Sequence, residues 1–281
     1  MPELPEVETI ARGLGTLLRG RTIVGVEIRY PEIVLGGDGS SWEQRLATRT
    51  IQEVGRRGKL LVCTLSGGLF LVFHLKMTGR VWVVPLSYRV CMHDHLVIHL
   101  QGGERVVFND QRKFGYAGLF TADELAAWPF YRDLGPEPLT LTPPVFRKIL
   151  ASTRARIKAV LLDQKRIAGI GNIYADESLF RAGIHPCSQA CALSVSRADA
   201  LLDGLKEVLA EAIKAGGSSI RDYRNAHGDR GLFQVNLSVY GRGGLACNRC
   251  HAPLEVIRVA GRTSTFCPHC QACFKITSRH D

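Results

Sequence analysis

Apolar residues near the start of the chain recur at helical spacing. Val7, Ile10, Ala11, Leu14, Leu17 and Leu18 share one face of a 3.6-residue repeat, and Gly20 ends the run. From about residue 22 to 120 the pattern changes to short β-branched and aromatic stretches: IVGVEI, LLVCTL, LFLVFHL, HLVIHL and RVVFN. Gly67-Gly68 and Gly102-Gly103 mark hairpin turns between them. The reading is a β-rich first domain, sandwich or barrel, with a helix at its front.

The proline-rich DLGPEPLTLTPP reads as a linker. Helical patterns follow it in PPVFRKIL, RARIKAVLLDQ and NIYADESLFRAG. Ser196 is placed to cap the long run RADALLDGLKEVLAEAIKAGG, with Gly216-Gly217 as its stop. The polar, glycine-bearing SSIRDYRNAHGDRGLFQ reads as a loop.

At 281 residues, 46% hydrophobic and 22% charged, the composition is that of a folded protein of about two domains. No apolar run of about 18 residues and no secretory leader are present, so the expected location is the cytoplasm. The net charge of +10, weighted towards the second half, points to a polyanion such as nucleic acid.

Nine cysteines change the picture further. Cys63, Cys91, Cys187 and Cys191 are scattered and read as buried thiols acting as small hydrophobes. At the C-terminus, Cys247 and Cys250 form one C-x-x-C pair and Cys267 and Cys270 another, with a hairpin-like LEVIRVAGRTSTF between them. Two such pairs complete a tetrahedral zinc site, and four thiolates leave no open position, so one structural zinc ion is expected. Cys273 is a further candidate ligand. Arg262 lies on the hairpin, either presented for function or as a solvated surface arginine.

The opening MPELPEVET carries its own chemistry. Removal of Met1 would leave Pro2 as a secondary amine with a pKa of about 8, against about 10.4 for lysine, and therefore partly unprotonated at neutral pH. Such an amine can attack a sugar C1′ and leave as an iminium that acidifies C2′. Glu3 and Glu6 stand beside it, able to move protons. The alternative is a helix start, with the acids at the positive end of the dipole.

PELPEVET, RRGKLL, HLKMTG, DQRKFG, LGPEPL, GIGNIYADESLFRAGIHP and the terminal FCPHCQ stand in the order seen in formamidopyrimidine-DNA glycosylases, and the sequence resembles that family over nearly its whole length. The resemblance implies an α+β multidomain fold. An N-terminal helix plus β-sandwich catalytic domain would span 1–131, a linker and helix–two-turn–helix domain 132–235, and the four-cysteine β-hairpin zinc finger 236–273. It implies base excision of oxidised purines (formamidopyrimidines and 8-oxoguanine) from damaged double-stranded DNA, followed by cleavage of the abasic strand. The enzyme would be monomeric, without a membrane, bacterial, and nucleoid-associated when bound to DNA.

By the same resemblance Pro2 is the Schiff-base nucleophile, Glu3 the proton donor in base removal, and Glu6 a further acid of the active site. Lys59 donates the proton in β-elimination, and Arg262 grips phosphate and serves δ-elimination. Met77, Arg112 and Phe114 match an inserted trio that fills the gap left by an extruded base. His93, Arg154 and Asn172 match DNA contacts, and the loop around 218–230 matches one that covers the base. From residues alone, Lys59 reads as an exposed strand-end lysine, Met77 and Phe114 as core, and His95 as structural. Lys113 stands where many relatives have arginine, and Lys76 where some have glycine. Two other readings remain: an endonuclease VIII-like preference for oxidised pyrimidines, and a catalytically silent zinc-bearing DNA-binding protein.

Overall fold

In the computed structural model, which describes residues 1–35, 39–218 and 231–276, the first apolar run forms α1 (Leu4–Leu18). Its buried face is Val7, Ile10, Ala11, Leu14 and Leu18, as the helical period requires. Pro5 falls in the first turn, where its missing N–H costs nothing. Gly20, at φ 82°, follows the last turn.

The next segment supplies β1 (Ile23–Ile28), β2 (Val34–Leu35), α2 (Gly39–Leu46), β3 (Ile51–Arg57), β4 (Leu60–Leu65) and β5 (Leu69–His74). After these come β6 (Arg80–Val84), β7 (Asp94–Leu100), β8 (Arg105–Asn109) and β9 (Tyr116–Thr121). The strands form two sheets, ordered β1-β7-β8-β6 and β2-β9-β5-β4-β3, almost wholly antiparallel. This is a β-sandwich, which decides between the two architectures the strand pattern allowed.

Side-chain parity explains how both faces of a strand find cover. Leu69, Leu71 and Phe73 of β5 enter the inter-sheet core with Leu96, Ile98 and Phe108 from the other sheet. Val72 points the opposite way, into a cluster with Phe120, Leu125 and Trp128. Phe73 and Phe108 meet edge to face across the sandwich at 5.4 Å. Within the stretch read as strand, α2 is a helix. Trp42 and Leu46 are wholly buried and hold it against the core.

Two short helices, α3 (Ala122–Ala127) and α4 (Pro129–Arg132), close this part of the chain. The contacts divide the molecule into Met1–Asp133 with Ile213–Gln234, and Leu134–Ala212 with Val235–Asp281.

The second unit is built from α5 (Pro143–Ala151), α6 (Ile157–Leu162), α7 (Asn172–Arg181) and α8 (Val195–Lys214), with the hairpin β10 (Glu255–Val259) and β11 (Arg262–Phe266). α7 is almost wholly buried. Its Asp176 pairs with the buried Lys158 of α6 at 2.7 Å and accepts from the Ser264 hydroxyl at 2.7 Å. Glu177 accepts backbone N–H groups of Ser238, Val239 and Tyr240 at 2.8–2.9 Å. These carboxylates replace their lost hydration with donors and a cation, the condition for burying charge.

Two expectations are corrected. α8 begins one residue before Ser196, because the Ser194 hydroxyl accepts the Arg197 N–H at 3.3 Å and is the better-placed cap. Of the four scattered cysteines only Cys63 is buried, on the core face of β4, where burial pushes its thiol up to about 12. Cys91 is exposed on the loop before β7, and Cys187 and Cys191 are half-buried.

Two phenylalanines close in sequence therefore differ sharply in worth: Phe108 is 1% exposed and Phe114 54%. Phe108→Ala is expected to lower unfolding stability by about 3–5 kcal/mol, and Phe114→Ala by less than about 1 kcal/mol. Urea denaturation of the two variants measures the difference.

Candidate active site and zinc centre

The start of α1 is held by its own acids. The Glu3 N–H donates to Glu6 Oε2 at 2.8 Å, and Glu6 Oε1 accepts the Ser218 N–H at 2.8 Å. Pro2 is buried, and Glu3 and Glu6 are 3% and 1% exposed. One carboxylate thus anchors the proline and the chain segment after α8 together. Both Glu6 oxygens are engaged by backbone donors, which makes its observed task positional.

Lys59 occupies the two-residue turn Gly58–Lys59 between β3 and β4, with Gly58 in left-handed backbone at φ 57°. It is 8% exposed, so the reading of a solvated strand-end lysine does not hold. Arg56 ties this hairpin to α1, donating to Glu8 Oε2 at 2.8 Å. His74 lies beside it at the end of β5. Burial, followed by the charges of Lys76 and Lys59, holds the imidazole down at about 3, so it is neutral at neutral pH. Its Nδ1 accepts the Lys76 N–H at 3.0 Å, leaving the proton on Nε2.

Met77, Arg112 and Phe114 come together at the tips of two loops. The Arg112 guanidinium donates to Met77 Sδ at 3.1 Å and lies 4.7 Å from the centre of the Phe114 ring. Met77 is 38% exposed and Phe114 54%, which excludes the core alternative for both. His93 is half-buried, and its carbonyl accepts the Asp110 N–H at 3.0 Å. His95 is buried and bonds the Asp110 carbonyl at 2.9 Å, a structural role.

In the second unit, Asn172 opens α7 and donates to the Thr263 carbonyl at 2.9 Å, next to the exposed Arg262. The Asn172 Oδ1 is buried without a hydrogen-bond partner among the described residues. Lys158 donates to the same Thr263 carbonyl at 2.9 Å, so two side chains hold the turn end of the hairpin beside Arg262. Arg154 is exposed just before α6. Of the loop around 218–230, residues 219–230 lie outside the described residues.

The Sγ atoms of Cys247, Cys250, Cys267 and Cys270 all lie within 4.8 Å of one another. Cys247 to Cys270 is 3.9 Å and Cys250 to Cys267 3.4 Å. A tetrahedron of zinc–sulfur bonds about 2.3 Å long needs sulfurs about 3.8 Å apart, so these residues fit one zinc ion. Burial raises the Cys247 thiol, but N–H groups of Arg249 and Cys250 and neighbouring thiols outweigh it, leaving it at about 7. Burial and the adjacent thiols push Cys270 up to about 12. A zinc ion held by these four thiolates would fix the two ends of the hairpin together. Cys273 lies outside the four-sulfur cluster and is exposed.

Sequence reasoning passed over Asp94, Asp110, Lys158 and Asp176, all buried. Their only sequence signal is adjacency to the motifs, as Asp110 heads DQRKFG.

A buried, proline-led helix on a β-sandwich, an exposed cluster of Met77, Arg112 and Phe114 and a four-thiolate hairpin together define a zinc-finger protein suited to nucleic acid. Residues 1–117 match the formamidopyrimidine-DNA glycosylase N-terminal domain, 134–224 the formamidopyrimidine-DNA glycosylase H2TH domain, and 244–272 a zinc finger found in FPG and IleRS. The formamidopyrimidine-DNA glycosylase of Chloroflexus aggregans is 45% identical over 96% of this chain and 98% of the relative. That of Nitratidesulfovibrio vulgaris is 41% identical over 96% of this chain and 100% of the relative. Among solved structures, Lactococcus lactis Fpg in complex with abasic-site DNA superposes with a TM-score of 0.89 at 39% identity, over 96% of this chain and 99% of that one. The same enzyme with a Fapy-dG-containing DNA gives 0.88 at 38% identity, with the same coverage. The chain belongs to the formamidopyrimidine-DNA glycosylase family.

Atomic emission of the purified protein is expected to give one zinc per chain. Cys273→Ser should leave that ratio unchanged, whereas Cys267→Ser should reduce it to near zero and destabilise the second unit.

Proposed function

We propose that this protein excises oxidised purines, formamidopyrimidines and 8-oxoguanine, from duplex DNA and then cuts the strand at the abasic site. The observation that carries this reading is the buried Pro2 at the head of α1, followed by a buried Glu3 whose N–H is held by Glu6. Loss of Met1 exposes the Pro2 amine. Its nitrogen bonds to C1′ as the glycosidic bond breaks, and Glu3 donates the proton with which the base leaves.

The proton released by the bonded amine passes through the Glu3 carboxylate to the ring oxygen as the C1′–O4′ bond opens, and the resulting iminium acidifies the C2′ hydrogen. Removal of that hydrogen expels the 3′ phosphate by β-elimination, with Lys59 as proton donor. A second, δ-elimination expels the 5′ phosphate, with Arg262 on the phosphates. Water then hydrolyses the iminium and frees Pro2.

Extruding a base costs a few kcal/mol and leaves an unpaired partner. Met77, Arg112 and Phe114 fill the gap: the thioether adapts to its shape, the guanidinium meets the orphan base, and the ring wedges the stack. Asn172, His93 and Arg154 hold phosphates, and the net charge of +10 supports the affinity for DNA. The zinc keeps Arg262 on a rigid hairpin and enters no step. The protein acts as a monomer in the bacterial cytoplasm, on the nucleoid. No helix among the described residues is long and apolar enough to cross a membrane.

The test is a duplex carrying one 8-oxoguanine opposite cytosine, with products resolved by gel. Protein shown by intact mass to begin at Pro2 should release the base and leave phosphate on both flanking ends. Glu3→Gln should slow base release by about 10²–10⁴-fold while a preformed abasic site is still cut. A zinc-loaded protein that binds the duplex without cutting it would contradict the reading in favour of a silent binder. Cutting confined to oxidised pyrimidines would contradict the lesion class.

A further inference from the structure

The two loops that carry the wedge converge on one buried carboxylate. Asp110 is wholly buried between them. Its Oδ1 accepts the Thr78 hydroxyl from the first loop and the Arg112 N–H, at 3.2 Å, from the second. Its Oδ2 accepts the Gly115 N–H at 2.6 Å, where the second loop rejoins the sheet. The Arg112 N–H is shared with the Thr78 hydroxyl oxygen at 3.3 Å, so the loops are also bonded to each other. Gly115 admits no side chain, because a Cβ there would stand 2.9 Å from the His74 carbonyl and 3.0 Å from Asp110 Oδ2.

Backbone strain in both loops agrees with this. Lys76 and Lys113 adopt left-handed conformations, φ 48° and 56°, without being glycine. Such residues persist only where their surroundings over-determine them. Each also lies over a tyrosine, Lys76 5.5 Å from the Tyr116 ring centre and Lys113 4.0 Å from that of Tyr30. The outcome is at the tips: Met77, Arg112 and Phe114 already touch in the free protein.

We propose that Asp110 is a positioning residue for insertion into DNA: its carboxylate locks the 75–79 and 110–115 loops in one register, so that the wedge stands assembled before DNA arrives. The inference rests on the reading of Met77, Arg112 and Phe114 as the inserted trio. A preassembled wedge does not spend binding energy on ordering three long side chains when it enters the stack. Asp110 itself is sealed from DNA and acts only through those side chains.

Asp110→Asn keeps the shape but swaps one acceptor oxygen for a donor facing Thr78, Arg112 or Gly115. With 2-aminopurine beside the lesion in the 8-oxoguanine duplex, the fluorescence step that reports insertion should slow by at least about tenfold. Cleavage of a single-stranded oligonucleotide with a preformed abasic site should stay within about twofold, because it has no orphan base and no stack to wedge. In a Met77→Ala/Arg112→Ala background Asp110→Asn should add nothing. Thr78→Val, which removes a single donor, should show the same pattern more weakly and carries the test if Asp110→Asn does not fold.

Equal loss on duplex and single strand, or full additivity in the double-alanine background, overturns the proposal. Wild-type protein inactive on both substrates overturns instead the functional reading beneath it.

Discussion

The Glu6 carboxylate is the contact on which the active end of the molecule depends. A chain terminus normally frays, and a nucleophile on a frayed end is spread over many positions. Here one buried acid takes the N–H of Glu3 with one oxygen and that of Ser218 with the other. The first bond sets the entry of the chain into α1, and the second fixes the segment that follows α8. The packed face of α1, from Val7 to Leu18, then anchors the terminus to the sandwich core. The proline is rigid because the helix behind it is, and the helix is rigid because its apolar stripe is wholly used.

The same device recurs elsewhere in the protein. Asp110 serves the loops of Met77 and Arg112. Asp94 accepts the Tyr88 hydroxyl, the Cys91 N–H and the Asn109 amide near His93. Glu177 takes three backbone donors ahead of the zinc hairpin. Loops cannot bury a ladder of hydrogen bonds as strands do, so irregular backbone near a core needs side-chain acceptors. A carboxylate offers the most acceptor sites per residue and none that repel an N–H. Exposed residues suited to DNA thus stand on loops whose roots are hydrogen-bonded to buried carboxylates.

Much of this was legible in the chain. The period of α1, the runs of β4, β5, β7 and β8, and the paired glycines each report a local preference that packing then honours. The four cysteines were legible because metal geometry restricts ligand spacing. α2 was not, since Trp42 and Leu46 leave too few apolar positions to define a period. Nor was the burial of Lys59, Asp110, Lys158 or Asp176. A charged residue on its own reads as solvated, and only tertiary contacts between Lys158, Asp176 and Thr263 supply its partners. The chemistry of Pro2 was one of two readings of the opening residues, and resemblance chose between them, whereas that of Met77, Arg112 and Phe114 came from resemblance alone. What the structure adds is that Arg112 touches both Met77 and Phe114.

The central claim is that the Pro2 nitrogen bonds to the sugar. Borohydride reduction during turnover of an abasic duplex freezes that bond, and peptide mass mapping locates it. The account predicts the sugar remnant on the N-terminal peptide, at Pro2. A remnant on the peptide containing Lys59, with Pro2 unmodified, would contradict it and make the hairpin lysine the nucleophile.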